Sequence, residues 1–333
     1  MQVVRSLDDL KWREFVDNHP QSNIFQTPEM FQVFAHTKGF EPELWAVIDS
    51  HGEIKCLFIP ILNTVLNGVF RYFTTRAVAY GSILCAQGPD GDEALSLLLS
   101  SYNQKRNRLL FTELRNLSDF GEIQPSLKQN GFIYEDHLNF LFDLRNPAEE
   151  MWKNIRSNAR RNIKKAEKSH VIIDEIVDMG ELSEAYQILK HVYSRIQVPL
   201  PDKSMFEAGF EVLRPKGMLK ILLAKLEEEP IGTLTLLIYK GTITYWYTGI
   251  LREFASYRAG DLLVWHTLKF GSHGGYRTFD FGGGGKPDEE YGVRDFKAKF
   301  GGEQVNFGRN IKIHAPIRYQ LSLVGYKMLR RFL

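Results

Sequence analysis

The sequence predicts an α/β chain of two tandem lobes, each a mixed, mostly antiparallel sheet flanked by helices. Three observations carry that expectation. The chain has 333 residues, long for one domain. Apolar spacing switches repeatedly between the helical and the alternating period along its length. The order of elements in residues 146–333 repeats that in residues 1–145 without obvious sequence identity.

In order, Leu7 to Asn18 has the apolar set of an amphipathic helix. Thr27-Pro28-Glu29 opens a second helix, with Thr27 as N-cap and Pro28 at the first helical position. Leu44–Ile48 and Ile54–Leu62 read as strands joined by a hairpin at Asp49–Gly52, and Val69–Phe73 and Ala77–Leu84 continue the strand pattern. Glu93–Lys105 is helical, and Leu109–Leu114 and Leu138–Leu144 are strands. Asn146-Pro147 breaks the pattern and marks the domain boundary, giving lobes 1–145 and 146–333.

The second lobe opens with a basic helix, Met151 to Ser169. Arg156, Arg160, Lys164 and Lys168 recur every fourth residue and form one stripe, beside an apolar stripe of Ile155, Ala159 and Ile163. Glu167 is the one acid among these cations, which repel one another unless an anion binds them. Helices over Glu181–Arg195 and Lys203–Leu213 lead to a three-stranded meander, Met218–Leu226, Ile231–Tyr239 and Thr242–Ile250. A crossover helix, Ala259–Phe270, returns to a strand at Thr278–Phe281. Four glycines, Gly282–Gly285, read as a loop after that strand. A short helix from Tyr291 to Phe300 follows, ended by Gly301-Gly302. There Phe296 and Phe300 share a face and Lys297 and Lys299 point elsewhere. Two short strands and a terminal helix, Arg318–Leu333, complete the chain.

Composition excludes several classes. Charged residues make up 25% and the formal net charge is +2, so any polyanion site must be local. Cys56 and Cys85 lack neighbours at metal-ligand spacing and read as strand residues, with no metal site expected. No run approaches the length of a membrane span, and MQVVRSLDDLKW lacks the apolar core of a secretory signal. The expected compartment is therefore the cytoplasm.

A meander, a crossover helix and a further strand is the element order of the GNAT acyltransferase fold. GNAT enzymes hold the pyrophosphate of acyl-CoA at the start of the crossover helix, where free backbone N–H groups face an anion. Here Arg258 and Gly260 keep a remnant of that loop. More specific is the series Asp280-Phe281-Gly282-Gly283, Tyr291-Gly292, Phe296-Lys297 and Phe300-Gly301-Gly302-Glu303. Together with Asn158-x-Arg160-x-x-Ile163-x-x-Ala166-Glu167 and the helix Leu262–Leu268, it resembles the FemABX family, the aminoacyltransferases that build peptidoglycan interpeptide bridges. The resemblance covers about Met151 to His314; the first 145 residues match in style only.

That resemblance implies transfer of an amino acid from aminoacyl-tRNA to an amine of a phosphate-linked muropeptide. The family's Phe-Lys pair falls on Phe296-Lys297, which makes Lys297 the expected oxyanion stabiliser. Arg156, Arg160, Arg161 and Lys164 are the expected anion-binding residues, with Asp280, Gly283 and Phe296 as further substrate-binding residues. No cofactor is required beyond the donor, either aminoacyl-tRNA or acyl-CoA; with acyl-CoA, Arg258 and Gly260 would bind it. No side chain stands out as a general base: His266 reads as a packed histidine, and Asp280, Asp295 and Glu303 flank the glycines. The long coiled-coil arm of some members is missing, which leaves tRNA use open. Two other readings stay open: acyl-CoA-dependent acylation in polysaccharide assembly, and a non-catalytic module gripping a phosphorylated ligand or RNA. The terminal helix sets Arg318, Lys327, Arg330 and Arg331 against Leu321, Leu323, Leu329 and Phe332. It either packs on its own domain or grazes the inner face of an anionic membrane.

Overall fold

The structure, a computed structural model, describes residues 1–64, 68–104 and 109–329. Its chain forms two compact units, Met1–Asp136 with Phe307–Leu333, and His137–Asn306.

The first unit begins with β1 (Gln2–Val4), α1 (Asp9–Asn18) and α2 (Pro28–His36). Asp8 caps α1 through the N–H groups of Leu10 and Lys11, and Thr27 caps α2 ahead of Pro28, as its sequence requires. Then come β2 (Phe40–Pro42), β3 (Trp45–Ile48), β4 (Ile54–Phe58), β5 (Ile61–Thr64), β6 (Thr75–Tyr80) and β7 (Leu84–Cys85). The expected strand at Val69–Phe73 is instead a 3-10 turn, Gly68–Phe73, opened by Gly68 at φ +67°. α3 (Pro89–Asn103), β8 (Phe111–Arg115), α4 (Gln124–Gln129) and β9 (Ile133–Glu135) follow; Lys105, the expected end of α3, lies outside the described residues. β6 and β8 are parallel, joined by a path that includes α3.

The second unit contains β10 (Leu138–Asp143), α5 (Ala148–Asn154), α6 (Ser157–Lys168), β11 (Ile172–Glu175), α7 (Met179–Arg195) and α8 (Lys203–Val212). The meander is β12 (Leu219–Leu226), β13 (Glu229–Tyr239) and β14 (Thr242–Ile250), followed by α9 (Ala259–His273), β15 (Thr278–Gly285), α10 (Gly292–Ala298) and β16 (Glu303–Asn306). One seven-stranded sheet runs β11-β12-β13-β14-β15-β10-β16. Only β14 and β15, linked by α9, are parallel. The core joins α6 (Ala159, Ile163) and α9 (Leu263, Val264, Leu268) to strand residues Leu234, Ile243, Phe279 and Phe281.

The single basic helix expected over Met151–Ser169 is two helices. Ile155 is extended (ψ 134°) and buried, and Arg156 is also extended, so the chain turns between α5 and α6. Burying Ile155 outweighs continuing the helix. Arg156 thereby leaves the four-residue stripe and becomes the N-cap of α6.

β17 (Arg309–Ile313) and α11 (Pro316–Leu329) then rejoin the first unit. β17 inserts between β8 and β9, completing the six-stranded sheet β2-β5-β6-β8-β17-β9; a second sheet runs β1-β3-β4-β7. The expected boundary at residue 146 falls after β10, and the return of residues 307–333 has no signal in local spacing.

Candidate active site

The site grows from a divergence of two strands. β14 and β15 pair only over Thr242–Thr244 with Thr278–Asp280. Beyond that, β14 stays with β13 to Ile250 and β15 stays with β10 to Gly285. β14 also carries a bulge: Thr235 faces Tyr247 and Leu236 faces Tyr245, which leaves Trp246 as the extra residue.

Lys297, on α10, enters this opening. Its Nζ donates to Gly283 O at 2.9 Å and lies 5.8 and 5.5 Å from the ring centres of Tyr245 and Phe281. The residue is 6% exposed. Gly282 sits at φ +74°, and a Cβ there would lie 3.6 Å from both the ammonium and Tyr245 O. A glycine at that point leaves room for the lysine head. Lys297 therefore does not point away from the rings, as expected, but is held among them.

Asp280 is the acid beside this cation. Its Oδ1 accepts from Asn139 Nδ2 at 2.9 Å and from Gly282 N at 2.8 Å. Burial pushes its pKa up, while those donors and the Lys297 charge pull it down. Burial lowers Lys297 to about 8, against the attraction of Asp280. The ammonium is thus present at neutral pH and lost above about pH 8. Any reaction that needs the cation loses rate as pH rises through that value, which a kcat–pH profile in buffers of matched ionic strength will show as an alkaline limb near pH 8.

The four glycines form strand, not the loop expected. β15 runs through Gly285 with Gly283 opposite Asn139 and Gly285 opposite Leu138. The missing side chains make room for neighbours: a Cβ would lie 3.0 Å from His137 Cε1 at Gly283 and 2.9 Å from Phe140 Cε2 at Gly284.

Lys299 also departs from expectation. Its Nζ reaches Asp261 Oδ1 at 2.6 Å, 4.1 Å from the Phe296 ring centre, with both side chains nearly buried. Asp261 accepts from Asn162 Nδ2 at 3.3 Å, and Lys299 O accepts from Arg156 N at 2.9 Å. One lysine thus ties α10 to α9 and α6. Phe296 packs edge-on to Phe281 and Phe300.

The remaining expected residues lie on two helix starts. Arg258 is exposed, at φ +62°, and precedes α9; a Cβ at Gly260 would touch Ile250 at 3.4 Å and Phe296 at 3.9 Å. Gly260 therefore serves close packing next to α10, and Asp261 already puts a carboxylate in the first turn of α9. Arg160 Nη1 donates to Trp152 O and Lys153 O, closing the end of α5, whereas Arg156, Arg161 and Lys164 are exposed. Asp295 and Glu303 are exposed, and His266 is half-buried, its pKa lowered by burial and by Lys269 and Lys220. Asn139, His137, Tyr245 and Asp261 went unread in the sequence, and Lys299 was read as pointing away, because each owes its place to a partner distant in the chain.

A cavity of about 500 Å³ lies at the other end of the β10–β15 pair, around Asp143, Arg145, Arg277 and Thr278, away from Lys297. Among the described residues no group of three or more His, Cys, Asp or Glu could hold a metal ion, and no helix is long and apolar enough to cross a membrane.

A parallel pair splayed beside a bulged meander strand, with a crossover helix between its strands, is the arrangement of the GNAT fold. Residues 153–297 match the family model described as an acetyltransferase (GNAT) domain. No curated protein matches the sequence. Among solved structures the chain is similar to FemX, with a TM-score of 0.72 at 16% identity over 96% of this chain and 99% of that one. It is also similar to a tandem GNAT protein from the clavulanic acid biosynthesis pathway (TM-score 0.59, 10% identity, 95% and 99% covered). A third is a C-terminal domain from Agrobacterium fabrum assigned to a lysylphosphatidylglycerol synthetase (TM-score 0.59, 11% identity, 96% and 95% covered). The expected tandem fold and the resemblance to FemABX proteins are borne out at the level of the fold.

Proposed function

We propose that this acyltransferase moves an aminoacyl group from aminoacyl-tRNA onto an amine of a phosphate-linked cell-envelope precursor, in the cytoplasm. The observation that carries the reading is the sequestered ammonium of Lys297. When an amine attacks an ester carbonyl, the N–C bond forms and the carbonyl oxygen takes up negative charge. A fixed cation in a dry opening lowers that barrier. Lys297 has three N–H groups and spends one on Gly283 O, so donors remain for an oxyanion. Collapse of the intermediate breaks the C–O ester bond, releases the tRNA hydroxyl and leaves the amide after the amine loses its proton. The names of FemX and of the lysylphosphatidylglycerol synthetase domain support an envelope acceptor. Arg161 and Lys164, exposed on α6, are the proposed partners of the acceptor's phosphates.

The second reading, acyl-CoA as donor, is favoured by Arg258 and Gly260 at the start of α9. Against it, Arg258 and Gly260 keep only a remnant of the loop that holds a pyrophosphate. The non-catalytic reading has no use for a desolvated lysine whose burial costs stability. Titrating the purified chain with charged tRNA and separately with acetyl-CoA, at low and moderate salt, separates the three. The expected result is saturable, salt-sensitive binding of charged tRNA and none of CoA. Tight CoA binding would move the donor to acyl-CoA, and binding of neither would sink the transfer reading.

A further inference from the structure

The first unit carries an exposed apolar surface on α11. Among the described side chains of α11, the Tyr319 ring meets Phe111 edge-on at 5.6 Å and Arg318 Nη1 donates to Tyr72 O at 3.4 Å. Ile317 is 79% exposed, Leu321 57% and Val324 49%, at the spacing of a single helical stripe, with Leu323 exposed beside them. The helix packs on the 3-10 turn Gly68–Phe73, which exposes Tyr72 and Phe73. A soluble chain seldom leaves so many large apolar side chains together in water. The side chains of Lys327 and Leu329, and all of Arg330, Arg331 and Phe332, lie outside the described residues.

Charge selects the occupant. From Gln304 to Leu333 the sequence has no Asp or Glu; Arg309 is spent on Glu113 and Lys312 on Asn130 O, which leaves Arg318, Lys327, Arg330 and Arg331 as the cations of the terminal segment. An apolar stripe set in a segment of one sign, with aromatic residues at its border, suits an interface that is greasy below and anionic above.

We propose that α11 and the Gly68–Phe73 turn dock this chain on an anionic phospholipid bilayer, with the Ile317–Leu321–Val324 stripe entering the acyl boundary and the basic residues meeting the headgroups. The surface goes beyond the transfer reaction and is tested apart from it. Whole protein is mixed with phosphatidylcholine vesicles, with or without phosphatidylglycerol, and floated on a density gradient. Wild-type protein is expected to float with the anionic vesicles and to be released by high salt, and the Ile317→Asp, Leu321→Asp double variant to bind at least tenfold more weakly. A circular-dichroism melt checks that this variant is folded. Should it misfold, hydrogen exchange of the wild type gives the same answer, because vesicles are expected to protect α11 amides. The proposal falls if the wild type ignores anionic vesicles, binds neutral ones equally, or keeps its affinity in the double variant. It also falls if light scattering finds a wild-type dimer that the variant loses, since the stripe then belongs to a second copy of the chain.

Discussion

Lys297→Met is expected to lower kcat by on the order of 10²–10³ and, at the same time, to make the protein more stable at pH 7. The first effect is the usual loss when one stabiliser of a developing oxyanion is removed. The second follows from burial. The lysine's pKa falls from 10.5 to about 8 in the folded protein, so at pH 7 the folded state bears the cost of a desolvated cation. A shift of that size corresponds to roughly 3 kcal/mol. Losing the hydrogen bond to Gly283 O returns about 1 kcal/mol of that, so a net gain of about 2 kcal/mol is expected. The sign with pH is fixed. Below about pH 8 both states are protonated and the penalty is complete. Between about 8 and 10.5 the unfolded chain binds more protons than the folded one, so wild-type stability rises with pH in that window. The variant lacks this rise. Denaturant melts at pH 7 and 9.5, beside turnover with a charged donor, read both effects. Unchanged turnover removes Lys297 from the chemistry, and a less stable variant shows that the lysine is held for structure.

The parts legible in the sequence were those written locally. Thr27-Pro28 announces its helix, and Lys240-Gly241, both at positive φ, announce the turn between β13 and β14. The meander, the crossover helix and the Phe-Lys pair could be read because each is one continuous stretch. The glycine strand could not. Four residues without side chains show no alternation, and what makes them a strand is β10, with His137 and Phe140 packed where Cβ atoms would be. Likewise β17 looks like any short strand, and its neighbours β8 and β9 lie far upstream. Arg160 read as an anion ligand because a basic stripe was visible, whereas the α5 carbonyls that it closes became visible only once the helix broke at Ile155. At the candidate site, Lys297 stood out by its motif, but the bulge at Trp246 and the strand divergence that surround it depend on pairing.

Lys299→Met should be the most damaging single change near the site, costing on the order of 3–5 kcal/mol, because it strands the carboxylate of Asp261 in a nearly buried place. In a helix of this composition a lysine reads as solvent-facing, yet this one holds α10 against α9 and α6 through Asp261, Asn162 and the Arg156 N–H. Asn162, at 3.3 Å, is a weak substitute for the lost cation. If the cost is that of an orphaned charge, Asp261→Leu added to Lys299→Met recovers most of it, since an apolar pair of similar volume needs no desolvated charge. A double-mutant cycle by urea denaturation then gives a coupling of several kcal/mol. Activity need not follow stability. Lys297 sits on the same short helix, so the double variant, folded but without the tie to α9, is expected to keep its stability and still lose kcat as the ammonium shifts from the opening between β14 and β15. Equal stability in wild type and Lys299→Met would show that the pair contributes nothing, and full kcat in the double variant would show that α10 is positioned by its aromatic packing on Phe281 and Phe300 alone.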